Sequence, residues 1–301
     1  MLSIGVVVTT YKAKNHLHHC LPPLLNSPLK PRVLVIDSSS NDGTVEIAKQ
    51  LGAETTVIPQ SEFNHGTTRE LARKILNTDI IVMVTQDAYA VDKDMLSKLV
   101  EPILNGKAAA SYARQLPHHG ADFFEAFARQ FNYPSESHVR CIADVSKYGV
   151  YTVFCSDSCA AYLNSALNAV GGFKEVLTGE DTVAVACLLQ NGYKVAYVAE
   201  ACVRHSHRYS LKQEFQRHFD TGLARRGYYN LIAFAGEDEK RGQLYVKTLI
   251  KKVLKEKPYL LPYASMHIVA KWLGYRIGAM SLNAPVWLKK ALSGQKYYWK
   301  T

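Results

Sequence analysis

The 301-residue sequence predicts an α/β protein with a Rossmann-like, mostly parallel central sheet flanked by helices. Three observations predict it. Short apolar runs rich in β-branched residues, over 3–10, 33–37 and 80–84, have the length and composition of strands buried on both faces. Segments of helical period separate these runs at the spacing of βαβ units. The second run ends in Asp37, and the fourth strand leads into Thr85-Gln86-Asp87, so acids stand where open α/β sheets gather ligands.

The elements follow in order. Residues 3–10 (SIGVVVTT) form the first strand. Residues 15–26 carry leucines at 17, 21, 24 and 25, broken by Pro22-Pro23. After the second strand, Ser40-Asn41-Asp42-Gly43-Thr44 supplies turn and cap chemistry for a helix over 45–51. A third strand at 54–59, a helix at 67–76 and the fourth strand at 80–84 complete the parallel unit. A helix at 95–104, a strand at 108–114 and an aromatic-rich helix at 122–132 come next. The polar stretch 134–148 reads as loop. A short helix at 165–170 precedes Gly171-Gly172, and Gly179-Glu180-Asp181 opens a helix that Gly192 ends. The last strand, 193–198, leads to Arg204-His205-Ser206-His207.

The composition, 48% hydrophobic and 21% charged, is that of a globular protein. No run reaches the roughly 18 apolar residues of a membrane span, and no secretory h-region opens the chain, so the expectation is neither export nor membrane crossing. Six cysteines without a CxxC pair point to free thiols in a reducing cytoplasm. Charge is segregated. Residues 241–301 hold twelve Lys/Arg and one acid, Glu256, whereas 1–240 hold 24 basic and 25 acidic residues. A basic C-terminal extension of this kind points to an anionic surface, membrane or nucleic acid. It reads as amphipathic helices, with Val246, Leu249, Ile250, Val253 and Leu254 opposite lysines, then a stripe of Met266, Val269, Leu273, Ile277 and Met280. These helices either pack on the main domain or a second copy in a homodimer, or lie in a membrane interface.

Chemistry gathers at the strand ends. Asp37 and Asp87 follow strands, Glu180 and Asp181 sit at a helix start where the dipole favours negative charge, and His205 and His207 would face one way on a strand. Each alone has a plain reading as cap or solvated side chain; their order on a βαβ frame is the stronger signal.

On these residues, positions 3–225 resemble a family 2 glycosyltransferase of the GT-A fold. Thr10-Tyr11 is similar to the family's Pro-Thr-Tyr-Asn, with Thr9 and Lys12 as departures. Asp37-Ser38-Ser39-Ser40-Asn41-Asp42-Gly43-Thr44 resembles its Asp-Asp-Gly-Ser-Thr-Asp-Gly-Thr without the second acid. Phe63-Asn64-His65-Gly66 with Arg69 and Thr85-Gln86-Asp87-Ala88 resemble the rhamnosyltransferase branch, Thr85 standing where DxD has its first acid. The resemblance implies that Thr10, Tyr11, Asp37, Asn64, His65, Gly66, Arg69 and Gln86 bind the donor. It implies that Asp87, with His205 or His207, holds Mg²⁺ or Mn²⁺, and that Arg204 and Arg208 contact phosphate. Asp181 is then the general base, with Glu180 beside it. The implied reaction is inverting transfer, most naturally of L-rhamnose from dTDP-L-rhamnose, to a glycan or lipid-linked acceptor in bacterial surface polysaccharide assembly. The implied place is the cytoplasmic face of the cell membrane, with no nucleic-acid partner. The implied domains are 1–230, divided at 115/116 into nucleotide-sugar and acceptor halves, and the helical tail 231–301. Another UDP- or GDP-sugar, a non-catalytic nucleotide binder, a nucleotidyltransferase and a nucleic-acid-binding protein are the competing readings.

Overall fold

The computed structural model describes residues 2–299. Its strands are β1 (Ile4–Thr10), β2 (Arg32–Asp37), β3 (Glu54–Val57), β4 (Ile80–Thr85), β5 (Tyr89–Ala90), β6 (Ala110–Leu116), β7 (His138–Arg140), β8 (Cys159–Leu163) and β9 (Val195–Arg204). They form one sheet in the order β3-β2-β1-β4-β8-β6-β9-β5, with β7 also on β9. Parallel pairing holds across β3-β2-β1-β4 and again between β6 and β9. The pairs β4/β8, β6/β8, β5/β9 and β7/β9 are antiparallel, so the second half of the sheet is mixed. The hydrophobic runs explain the first half. Every residue of β1 is buried, which fits a parallel strand covered by helices on both faces.

Register brings the strand ends together. Thr10 lies opposite Asp37 on one side, and Thr9 opposite Thr85 on the other, so β1, β2 and β4 stop at one level. One helix layer includes His65–Leu76 and Glu180–Gln190; the other includes Lys14–Leu25 and Met95–Leu104. The helix Lys14–Leu25 runs through Pro22 and Pro23 without a break. Both prolines stand in its last turn, and burial of Leu17, Cys20, Leu21 and Leu24 outweighs the two missing donors. The stretch 134–148 contains β7 and short helical turns where loop is expected. β7 is only three residues long, and its pairing partner β9 lies far along the chain, so local composition carries no trace of it. The 115/116 boundary falls inside β6, and 230/231 falls inside the short helix Tyr229–Ile232.

The C-terminal segment is anchored by two helices. Asp238–Glu256 buries Leu249 and Val253 against Phe127 and neighbouring aromatics. Leu261–Met280 packs along the helix Leu211–Gly227 through glycines. A Cβ on Gly274 would lie 2.3 Å from the Phe215 carbonyl oxygen, and one on Gly278 would lie 2.1 Å from that of Phe219. The expected apolar stripe Met266, Val269, Leu273, Ile277 and Met280 faces away from this contact and is exposed. No helix among the described residues is long and apolar enough to cross a membrane. All six cysteines are free.

Candidate active site

A cleft of about 340 Å³ opens where β1, β2 and β4 end. Thr9, Thr10, Tyr11, Ser38, Gln60, Phe63, His65, Thr85, Gln86, Asp87 and Tyr297 line it. Gln86 fixes Tyr11 by its backbone: Gln86 Oε1 accepts from Tyr11 N at 2.8 Å, and Nε2 donates to Tyr11 O at 3.2 Å.

Two expected donor-binding groups stand behind this wall. Asp37 is fully buried, and its carboxylate accepts from Thr10 Oγ1 (2.8 Å), Ser40 N (2.7 Å) and Ser40 Oγ (2.7 Å). It holds the 37–44 loop in shape. Asn64 caps the helix His65–Leu76, accepting from Gly66 N and Thr67 N, and donates to Val176 O. Gly66 is a packing residue, because a Cβ there would stand 1.9 Å from Lys174 O. Of Phe63-Asn64-His65-Gly66, then, the first and third residues line the cleft and the second and fourth build the frame.

Asp87 faces two imidazoles. Its carboxylate oxygens lie 3.5 Å from His205 Nε2 and 3.3 Å from His207 Nε2, and those two nitrogens are 3.0 Å apart. His205 Nδ1 meets Gln115 Oε1 at 2.9 Å. Nδ1 carries the proton there, which turns an unprotonated Nε2 toward Asp87 and His207. Burial pushes the His205 imidazole down to about 3, so it is neutral, as a ligand must be. One carboxylate and two imidazoles converging on a point fit a divalent cation.

The acid pair is organised by Arg69. Its guanidinium pairs with Glu180 through Nη1 and lies 3.4 Å from Asp157 Oδ2 through Nε, all three side chains being buried. Arg69 is therefore a clamp on acids rather than a donor contact. Asp181 accepts from Thr182 N at 2.6 Å and from Asp157 N at 3.3 Å. Burial, reinforced by Glu180 and opposed by Arg69, raises its carboxyl to about 6. Burial raises Asp157 further, to about 8, against the pull of Arg69. His65 sits between this cluster and the cleft; burial and then the Arg69 charge push it down to about 3.

Arg204 and Arg208 do not reach the cleft. Arg204 Nη1 donates to Pro117 O at 2.8 Å, because β9 delivers it to the opposite rim. Arg208 is largely exposed, 3.6 Å from Asp122. Arg217 comes nearer in charge, although it is exposed and outside the cleft lining. It donates to Tyr209 Oη at 2.7 Å, and its charge bears on both His65 and His207. Asp157, Arg217 and Tyr297 are the residues sequence reasoning missed. The only available signal was for Arg217, one of several cations on a helix starting just after His207.

Comparison with known proteins gives the family and the fold. The Glycosyl transferase family 2 profile matches residues 5–171. The chain is 39% identical over 302 residues to the O-antigen chain rhamnosyltransferase RfbN of Salmonella typhimurium strain LT2, covering 99% of this chain and 96% of that protein. It is 38% identical to the O-antigen chain rhamnosyltransferase WbaN of Salmonella anatum, with the same coverage. Among solved structures, the mannosyltransferase PcManGT of Pyrobaculum calidifontis, in complex with GDP-Man and Mn²⁺, superposes with a TM-score of 0.59 at 16% identity, over 91% of this chain and 87% of that one. TarS 1–349 of S. aureus with UDP-GlcNAc gives 0.55 at 14% identity, over 94% and 92%. These two likenesses concern the fold, which is that of GT-A glycosyltransferases. With a profile spanning more than half its length and relatives matching end to end, the chain belongs to glycosyl transferase family 2.

Proposed function

We propose that this enzyme transfers L-rhamnose from dTDP-L-rhamnose, with inversion, to a glycan or lipid-linked acceptor of a bacterial surface polysaccharide. The observation that carries the chemistry is the Asp87–His205–His207 triangle, whose Asp87 lines the same cleft as His65, the residue whose titration feels the charges of Arg69 and Asp181. The choice of sugar rests on the end-to-end likeness to two O-antigen rhamnosyltransferases.

Asp181 takes the proton of the acceptor hydroxyl as that oxygen attacks the anomeric carbon. Its raised pKa makes it a better proton acceptor at neutral pH than a free aspartate. The bond from the anomeric carbon to the diphosphate breaks on the opposite face, and Arg217 and Arg129, whose charges both bear on His207, are the cations beside the histidine corner that would meet that leaving group. Asp87, His205 and His207 would hold a divalent cation, which supplies neutralising charge to the diphosphate. With two imidazoles among three ligands, Mn²⁺ suits the set better than Mg²⁺. The test is a panel of sugar nucleotides with Mn²⁺, read by nucleoside diphosphate release in the presence of acceptor. Release is expected from dTDP-L-rhamnose, and its loss in EDTA with recovery by Mn²⁺; preference for a UDP- or GDP-sugar refutes the donor, and full activity in EDTA refutes the metal.

Peripheral attachment to the cytoplasmic membrane surface is part of this reading. Tyr259, Met266, Val269, Trp272, Met280 and Trp287 are each more than half exposed, and Lys251, Lys255, Lys257 and Arg276 are exposed on the same helical segment. Apolar and aromatic side chains flanked by cations suit an anionic lipid interface.

A further inference from the structure

The segment 293–299 returns from the basic helices to the cleft. Ser293 is fully buried; Gln216 Nε2 donates to its carbonyl at 3.4 Å, and its Oγ accepts from Gln295 N at 2.9 Å. Gly294 N donates to Asp220 Oδ2 at 2.9 Å, while Asp220 Oδ1 is buried without a partner among the described residues. Tyr298 and Trp299 pack on the main core. These attachments set the Tyr297 ring edge-on to Phe63, centroids 5.8 Å apart, with Phe63 in turn 4.9 Å from His65. Tyr297 Oη donates to Gln295 Oε1 at 3.0 Å, and the ring remains 40% exposed toward the cleft it lines.

Its position along the cleft is informative. Thr10 and Ser38 mark one end and Asp87 the rim near the histidines, whereas Tyr297 lies beside Phe63 and His65, where the charges of Glu180 and Asp220 reach it. A sugar being transferred must lie between the diphosphate at Asp87 and the base Asp181, so it comes within reach of this ring. Aromatic faces bury the C–H face of a pyranose, and a deoxy sugar with a methyl group offers more apolar surface still.

We propose that 293–299 forms a wall of the donor cleft and that Tyr297 contacts the transferred sugar, setting affinity for the donor's glycosyl part. This rests on the glycosyltransferase reading above. The ring, and not the hydroxyl, makes the contact, since the hydroxyl is satisfied by Gln295.

The experiment compares Tyr297→Phe and Tyr297→Ala in the full chain, using whichever donor the wild-type enzyme turns over. Tyr297→Ala is expected to raise the donor KM at least about tenfold, with acceptor KM unchanged. Tyr297→Phe should stay within about threefold of wild type. Calorimetric binding of the nucleoside diphosphate alone should be equal in all three proteins, because it lacks the sugar. An unchanged donor KM in a folded Tyr297→Ala protein overturns the proposal, as does an equal loss of nucleoside diphosphate binding or a shift in acceptor KM instead. Because each comparison is made against wild type on the donor that wild type uses, a wrong donor assignment shows in the wild-type panel and leaves the Tyr297 test standing.

Discussion

Asp181 shows how a short carboxylic acid becomes useful near neutrality. Three acids, Asp157, Glu180 and Asp181, surround one guanidinium, so a single Arg69 cannot stabilise all of them ionised. As the proposed base, Asp181 must be deprotonated to act, and burial raises its carboxyl to about 6, so kcat is expected to rise through about pH 6 and level off above it. Asp181→Asn should lower kcat by about 10²–10⁴-fold while leaving donor affinity within a few-fold. Steady-state rates from pH 4.5 to 8.5 check both; a flat profile, or an active Asn variant, removes Asp181 as the base. The same shifts act on folding with a definite sign. Protons bind Asp157 and Asp181 more tightly in the folded chain, so their stabilising contribution is full below about pH 4 and is lost as pH rises through 6 and 8. At this scale the sequence was legible where an acid ends a strand or opens a helix, as with Asp87 and Asp181. It was silent on Asp157, which no neighbouring residue marks and which only tertiary structure sets against Arg69. It did not separate Asn64 and Gly66, which the fold uses as cap and close-packing residues, from Phe63 and His65, because a motif does not say which of its members face the cleft.

At the scale of elements, the helix pair Leu211–Gly227 and Leu261–Met280 is the most demanding contact. Glu214 on the first is buried against His267 at 3.1 Å and Lys271 at 3.7 Å on the second. The partners outweigh burial and hold its carboxyl down, at about 2, so this pairing persists across the physiological range. Backbones this close leave no room for side chains at Gly274 and Gly278. Gly278→Leu is expected to cost about 1–3 kcal/mol or more by forcing the helices apart, visible as a lowered Tm, whereas Gly242→Ala, with nothing within 4 Å, should not lower it. Equal Tm values for the two variants would contradict the packing described. The first four strands and the helix Met95–Leu104 were readable from periodicity because their burial follows chain order. The antiparallel half was not, since β7 and β8 gain their pairing from β9, β4 and β6, remote in sequence. The apolar stripe of the last long helix was read correctly as a stripe; that its small-residue face would be the buried one depended on a partner helix some fifty residues earlier.

The whole molecule segregates its charge along the chain. The glycosyltransferase fold is near neutral over 1–240, and the excess of cations lies on the segment that also exposes Trp272 and Trp287. Binding to vesicles with a third phosphatidylserine is expected to weaken strongly between 50 and 500 mM salt and to fall at least tenfold in a Lys251→Glu/Lys255→Glu/Trp272→Ala variant whose transfer to a water-soluble acceptor is unchanged. Retention on neutral vesicles alone, or no loss in the variant, would assign the exposed stripe to another occupant such as a second copy of the chain. Charge segregation was visible in the sequence without any structure, because net charge needs no fold to be counted. The return of 293–299 to the cleft was not, since it depends on where two long helices end.

The complete burial of Asp37 has a consequence for how a donor is chosen. With that carboxylate consumed by Thr10 and Ser40, the cleft lining near the ends of β1 and β2 is hydroxyls, amides and aromatic edges, with the exposed Lys12 ammonium 5.5 Å over the Tyr11 ring as the charge beside it. If the proposed donor lies there, discrimination between nucleobases rests chiefly on shape and neutral hydrogen bonding. In the proposed reading the strength of the grip belongs to the histidine corner and the cations beside it, which would meet the diphosphate common to every candidate. Ranking and affinity thus reside in different atoms, and either can drift over evolutionary time while the other stays fixed.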